Sequence, residues 1–316
     1  MKPPILFAMP ISPKLIERLS ERYEVLGPLD RARPLPLPEG AGRAKALVTL
    51  GSLKTNVAMM DALPDLGLIS CYGTGFEGVD RAEAARRGIR LTHAGDSNAT
   101  SVAEFAMGLV LAAGRNLVRG DRMTRAGKWA SLSIDRVPIT PGLAGQRMGI
   151  YGMGSIGLKI AQRAAAFEME IGYHNRSRRN DVDYAYHGSL QALAEWCDVL
   201  VVAVRASAEN RHAVNAEILE ALGPQGVLVN ISRGIAVDEM ALAEALEKNV
   251  IAGAGLDVYE NEPHVPERFW TLENVVLTPH MAALSRGAQV AQQKVLIDNL
   301  DAFFAGRPLH SLMPTG

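Results

Sequence analysis

"YGMGSIG", residues 151–157, sets the architecture of this chain. Gly152, Gly154 and Gly157 stand in the spacing G-x-G-x-x-G between a short apolar run, "QRMGIYG", and a helical pattern, "IGLKIAQRAAAFE". A strand entering such a turn and a helix leaving it make a dinucleotide-binding turn. The first glycine permits the sharp bend, the second lets backbone N–H groups approach a pyrophosphate, and the third lets helix and sheet pack closely. The phosphates then lie at a helix N-terminus, where unpaired donors and the helix dipole favour an anion. Gly152, Met153, Gly154, Ser155, Ile156 and Gly157 are therefore the candidate phosphate-binding residues. The competing reading is a plain glycine-rich strand-to-helix turn.

On either side of the turn, short apolar, β-branched runs alternate with helical patterns: "ILFAM", "ALVTL" and "GLISCYG" before it, "EIGYHN", "DVLVVAV", "VLVNIS", "IAGAGLDV" and "NVVLTPH" after it. That rhythm predicts parallel sheets wrapped by helices. Because the turn lies mid-chain, the first hundred or so residues form a separate unit. The expected fold class is α/β, with two doubly wound domains: a Rossmann dinucleotide-binding domain, 99–285, inserted into a flavodoxin-like substrate domain, 1–98 plus 286–316. Ligands of such proteins are expected in the cleft between the two. The junction reads "SNATSVAEFAMGLVLAAGRNLVRG", where Ser101 and Glu104 are spaced as a capping box. From there the chain is apolar on most helical faces through Val118, which predicts burial between domains or between subunits. "RARPLPLPEG" at 31–40 and the stretch from "RAGKWASLSIDRV" on read as irregular surface segments.

The chain has 316 residues, 48% of them hydrophobic, enough for about two ordinary cores. Its 33 basic and 34 acidic residues nearly cancel, so no global field argues for nucleic acid or an anionic membrane as a partner. The amino terminus, "MKPPILFAMPISPKLIERL", lacks a signal-peptide cleavage pattern, and no apolar run reaches the roughly 18 residues of a membrane span. Cytoplasmic location is the expectation. Cys71 and Cys197 fit no pairing or metal-ligand spacing and are expected to be buried free thiols, with no metal site.

At the end of the strand after the glycine turn, the position where such folds usually carry an acid for the ribose is Asn175, followed by Arg176, Ser177, Arg178 and Arg179. An acid there accepts bonds from the ribose hydroxyls and repels a 2′-phosphate. Asn, a hydroxyl and guanidinium groups offer that phosphate charge-assisted donors instead. NADP(H) is the expected cofactor and NAD(H) the alternative; the competing reading of the arginines is a solvated loop.

Three further residues stand at the ends of predicted strands: Arg233 in "VLVNISRGIAVDEMAL", Glu262 in "AGLDVYENEP" and His280 in "VVLTPHMA". A guanidinium holds a carboxylate and polarises a carbonyl, while a histidine beside an ionised carboxylate serves as proton donor. Taken singly, each also reads as an ordinary surface cation, loop acid or helix-capping residue. In order and spacing these segments resemble the D-isomer-specific 2-hydroxyacid dehydrogenase family, and "NRSRR" is similar to its glyoxylate, hydroxypyruvate and hydroxyphenylpyruvate reductase branch.

The resemblance implies a catalytic set of Arg233, Glu262 and His280, reducing a small 2-oxo acid to the (R)-2-hydroxy acid. It assigns the substrate carboxylate to the loop "CYGTGFEGVD" through Tyr72, Gly73, Thr74 and Gly75, together with Arg233 and His280. Thr100, Ile231 and Asp257 are placed by it on the nicotinamide half of the cofactor. A homodimer built on the apolar crossover helix is also implied, with Trp129 and Leu132 in a loop that reaches the partner. Departures are Arg205 where a proline is common, Asn210 where threonine is usual, and Ser285 near a usual threonine. A nucleotide-sensing corepressor and a dehydrogenase for formate or phosphite are the alternatives on the same scaffold.

Overall fold

The computed structural model describes residues 1–30, 34–130, 132 and 138–313. The chain divides into two compact units, Met1–Asn98 with Ser285–Gly316, and Ala99–Leu284. In the first, β1 (Pro4–Phe7), α1 (Pro13–Ser20), β2 (Glu24–Leu26), β3 (Ala46–Thr49), α2 (Val57–Asp61), β4 (Leu68–Cys71), α3 (Arg81–Arg86) and β5 (Arg90–Thr92) succeed one another. Their sheet is parallel, in the order β2-β1-β3-β4-β5. The inner strands β3 and β4 are buried along their whole length, as continuous apolar runs of a doubly covered parallel sheet require. Cys71 ends β4, and burial pushes its thiol up to about 12.

The second unit opens with α4 (Ala99–Gly114) and α5 (Leu117–Arg125). Then come β6 (Arg147–Tyr151), α6 (Ser155–Ala166), β7 (Glu170–His174), β8 (Ala185–Tyr186), α7 (Leu190–Trp196) and β9 (Val199–Val202). The unit closes with α8 (Ala216–Leu222), β10 (Val227–Asn230), α9 (Glu239–Glu247), β11 (Gly253–Leu256) and β12 (Val275–Leu277). The sheet is again parallel, in the order β12-β11-β10-β9-β6-β7-β8. The strand order reverses between β6 and β9, and β6 delivers the glycine turn at that switch point. One apolar core, with Met148, Ile150, Val201 and Val229, lies under α4 and α6; the other, with Leu200, Leu228 and Leu256, lies under α7, α8 and α9. Cys197 is buried in the second core, its thiol likewise pushed up to about 12. The long helix α10 (Arg286–Phe304) returns the chain to the first unit, where Leu296, Ile297 and Leu300 join the core of β1 and β3. Ser285 is its N-cap, accepting the Ala288 N–H at 3.1 Å, which is why this residue falls with the outer unit and not at the end of the inserted one.

Two expectations are corrected at α4. The helix begins at Ala99, so Ser101 is inside it and caps nothing; its hydroxyl donates instead to the Ala282 carbonyl at 2.7 Å. The apolar character of α4 is also largely accounted for within its own unit. Val102, Ala106, Met107, Leu109 and Val110 are buried in the core, and Leu109 lies against Gly255 of β11, where a Cβ would come 3.0 Å from the leucine's own Cβ. No single helix among the described residues is long and apolar enough to cross a membrane. The pair α4 and α5 passes that test together only across a 62° bend.

Candidate active site

The glycine turn is built as its spacing requires. Gly152 has φ +107°, a conformation L side chains rarely adopt, and a Cβ on it would lie 2.5 Å from the Val204 nitrogen. At Gly157 a Cβ would lie 2.2 Å from the Gly152 carbonyl oxygen, so any side chain there pushes α6 off the turn. Gly154, the N-cap of α6, is exposed and faces open space, with no atom within 4 Å of a Cβ built there. No neighbouring atom demands glycine at that position, so its residue type suits a ligand backed against the helix N-terminus. Ser155 and Ile156 form the first turn of α6 and are half-buried, whereas Met153 is buried. This cradle fits a dinucleotide pyrophosphate.

The side-chain oxygen of Asn175 accepts the Met153 N–H at 2.7 Å, tying the end of β7 to the turn. Arg179 is engaged inside the protein: one guanidinium nitrogen donates to the Met153 carbonyl at 2.8 Å, and the others pair with Asp181. Arg176, Ser177 and Arg178 remain exposed. Arg176, whose side chain is 91% exposed, stands 3.4 Å from Glu209 at the far side of the loop after β9. Sequence reading missed this acid because it lies 33 residues away, in "RASAEN". In the same loop Asn210 is buried and closes a turn, accepting the Ser207 N–H at 2.8 Å and donating to the Arg205 carbonyl at 2.7 Å.

The loops after β10, β11 and β12 carry the remaining candidates. Asn230, buried at the end of β10, donates to the Arg233 carbonyl at 3.0 Å and accepts from both the backbone N–H and the hydroxyl of Ser232. It thus fixes the backbone from which Arg233, half-buried, extends. The next residue is Gly234 because nothing larger fits: a Cβ would fall 1.9 Å from the Tyr259 carbonyl carbon. That contact presses the Arg233 loop onto the segment leading to Glu262. Ile231 is buried at the same strand end, and Thr100 is exposed in the first turn of α4.

Glu262 and His280 meet directly, with the His280 Nδ1 2.8 Å from the Glu262 Oε2. The other carboxylate oxygen accepts the Tyr259 N–H at 3.1 Å. Burial pushes the Glu262 carboxyl up, but the His280 bond and charge, the Tyr259 N–H and Arg233 outweigh it and hold the group below the usual carboxylate range. Glu262 is therefore ionised at neutral pH, so Nδ1 is the donor in this contact. His280 has φ +50°, which costs a non-glycine residue roughly 1–2 kcal/mol. Asp257 offsets that cost. It is fully buried, and its carboxyl oxygens accept the Thr278 hydroxyl at 2.6 Å and the Met281 and Ala282 N–H groups at 2.9 Å each. Its side chain holds the turn that presents His280, a task that no spacing in the sequence announces.

In the first unit, the loop after β4 packs closely. A Cβ on Gly51 would lie 2.0 Å from the Gly75 carbonyl oxygen, while Gly73 has open space around it. Gly75 is buried, Tyr72 and Thr74 are half-buried, and the Tyr72 hydroxyl donates to Gln289 at 3.1 Å. Of the segment 125–137, read from sequence as an irregular surface segment, residues 131 and 133–137 lie outside the described residues.

The model of the D-isomer specific 2-hydroxyacid dehydrogenase NAD binding domain matches residues 107–282. Hydroxyphenylpyruvate reductase of Plectranthus scutellarioides is 37% identical over 306 residues, 96% of this chain and 97% of that protein. The 2-ketogluconate reductase of Gluconobacter oxydans is 37% identical, over 98% of this chain and 97% of that one. Among solved structures, an NADPH-dependent glyoxylate/hydroxypyruvate reductase from Sinorhizobium meliloti, in complex with NADP and malonate, superposes with a TM-score of 0.91 at 39% identity, covering 100% of this chain and 98% of that one. With a nucleotide turn built to hold a pyrophosphate and a Glu–His pair beside an arginine, the chain belongs to the D-isomer-specific 2-hydroxyacid dehydrogenase family, as an NAD(P)-dependent oxidoreductase of its reductase branch.

Proposed function

We propose that this protein reduces a small 2-oxo acid, glyoxylate or hydroxypyruvate, to the (R)-2-hydroxy acid, with NADPH preferred over NADH. The observation that carries this reading is the 2.8 Å contact between an ionised Glu262 and His280, in a loop cluster that also presents Arg233. Nicotinamide, when bound, supplies the hydride to the carbonyl carbon. Arg233 pairs with the substrate carboxylate and polarises the carbonyl, so negative charge developing on the oxygen meets a fixed cation. His280 Nε2 gives its proton to that oxygen, and Glu262 keeps the ring oriented and stabilises the imidazolium from which the proton leaves. The Tyr72–Gly75 loop is assigned to the same carboxylate on the family resemblance, as are Thr100, Ile231 and Asp257 to the nicotinamide half. Preference for NADPH is supported by exposed Arg176, Ser177 and Arg178 at the end of β7 and by an uncharged Asn175.

A homodimer is part of the same reading. It is supported by exposed apolar side chains on and after α5, namely Leu117, Trp129, Leu132 and Ile139. The test of the whole proposal is an assay of the purified protein with glyoxylate, hydroxypyruvate, hydroxyphenylpyruvate and pyruvate against both cofactors, with the product resolved by chirality. Best turnover is expected for a small 2-oxo acid with NADPH, yielding the (R) product. An (S) product, or tight NADPH binding without turnover of any 2-oxo acid, contradicts it, and the second outcome points to a nucleotide-sensing binding protein.

A further inference from the structure

His212 lies outside the catalytic set, yet it touches both loops that carry Arg233 and Glu262. Its φ is +50°, a left-handed conformation that few non-glycine residues adopt. From that position its N–H donates to the Ile235 carbonyl at 2.7 Å, two residues past Arg233. The pairing continues with Val214 N–H to the Ala236 carbonyl at 3.0 Å and Asp238 N–H to the Val214 carbonyl at 2.9 Å. The backbone of 212–214 thus holds the segment after Arg233 through an isolated parallel bridge between Val214 and Val237.

The imidazole reaches the other way. Its Nε2 is 3.1 Å from the Glu260 Oε2, and its Nδ1 is 3.8 Å from the Asp238 Oδ2. A carboxylate can only accept, so Nε2 carries the proton. Glu260 is further held by Arg211 at 2.7 Å, and its N–H donates to the buried Glu239 at 2.8 Å. Burial pushes the Glu260 carboxyl up, but His212 and Arg211 outweigh it and keep the group below the usual carboxylate range, so Glu260 is ionised. Glu260 comes directly after Tyr259, whose N–H holds Glu262, and the backbone of both residues is what Gly234 presses against.

We propose that His212 is a positioning residue for the reduction: by joining the loop after β10 to Glu260, it sets the spacing of Arg233 from the Glu262–His280 pair. This rests on the roles proposed for Arg233, Glu262 and His280. Reacting groups misplaced by about 1 Å lose on the order of 100-fold in rate, so a clamp at this junction has leverage on chemistry without touching substrate.

The test uses His212→Leu, His212→Asn and His212→Gln in the full chain, with hydroxypyruvate and NADPH. His212→Leu is expected to lower kcat/KM for hydroxypyruvate roughly 10- to 100-fold. The NADPH dissociation constant should stay within about twofold and the melting temperature within a few degrees. Hydride transfer should also become more rate-limiting, seen as a larger primary isotope effect with deuterated NADPH. His212→Asn tolerates the left-handed backbone but is too short to reach Glu260, and should be as impaired as His212→Leu. His212→Gln restores a donor near the Nε2 position and should recover most of the loss. Glu260→Ala, which removes the acceptor, should cost at least as much as His212→Leu, and the His212→Leu, Glu260→Ala double variant no more than Glu260→Ala alone, because all three break one link. The proposal is overturned if His212→Leu reduces hydroxypyruvate within twofold of the parent, if cofactor affinity and melting temperature fall along with activity, or if His212→Asn recovers as well as His212→Gln. His280→Ala separates this from the proposed catalytic set. If it is inactive while His212→Leu is normal, only the positioning role fails; if it is fully active, the catalytic assignment itself fails.

Discussion

Cofactor choice is where a small charge change should have the largest selective effect, and the structure sets its size. Asn175 accepts the Met153 N–H through an oxygen that aspartate also possesses, so Asn175→Asp keeps the link between β7 and the glycine turn while adding a negative charge. Against a 2′-phosphate of roughly −2 charge about 5 Å away, that carboxylate is repelled by about 1.5 kcal/mol in water-like surroundings. Under the proposed NADPH preference, removing Arg176 forfeits a charge-assisted bond to that phosphate. Because its side chain is 91% exposed, the loss belongs at the low end, about 1–2 kcal/mol. The two changes are neighbours and need not add fully, so the double variant should shift the NADPH-to-NADH ratio of kcat/KM roughly 30- to 300-fold toward NADH. The assay measures both cofactors in the parent, each single variant and the double variant at fixed ionic strength, then at high salt, where the effect should shrink. A parent that already prefers NADH, or a ratio the double variant leaves in place, would make the arginines a solvated loop with no part in cofactor choice.

Other perturbations probe the scaffold of the site. Gly234→Ala puts a methyl 1.9 Å from the Tyr259 carbonyl carbon; it should cost about 1–3 kcal/mol in denaturant titration and reduce turnover more than NADPH binding. Leu109→Asp buries an unpaired carboxylate in the core of the second unit and should unfold it, whereas Leu117→Asp, at an exposed position, should leave the fold intact and weaken a dimer, as read by circular dichroism and light scattering. Glu262 has a folded pKa below its unfolded one, so its contribution to stability is complete above the ordinary carboxylate range and is lost as pH falls through the depressed value. The stability gap between parent and Glu262→Gln should therefore close on acidification; parallel curves across the acid range would contradict this.

Much of this molecule is legible in its sequence because the signals are local. Apolar runs bounded by turns mark the parallel strands, and the glycine spacing marks the switch point where β6 meets α6. Arg233, Glu262 and His280 are recognisable because each lies in the loop that follows a strand, and parallel strands all deliver their carboxyl ends to one edge of the sheet. What stays hidden depends on contacts distant in sequence. Glu209 faces Arg176 from another loop, and the bonds by which Asp257 holds the turn at 278–282 come from residues more than twenty positions away. Ser101 looks like a cap because its spacing to Glu104 is right, yet α4 starts two residues earlier and spends that hydroxyl on Ala282. The apolar length of α4 suggests a subunit interface, but β10 and β11 of its own unit already cover Leu109.

In the proposed reduction everything turns on His280, held by Glu262, delivering the proton that completes conversion of a 2-oxo acid. Single-turnover oxidation of bound NADPH by hydroxypyruvate, followed in the parent and in His280→Ala, isolates that step. The expected result is a rate lower by roughly 10²- to 10⁴-fold in the variant with the NADPH dissociation constant nearly unchanged. A variant that turns over at the parent rate, or one that loses NADPH affinity in proportion to its rate, would contradict the role assigned to His280.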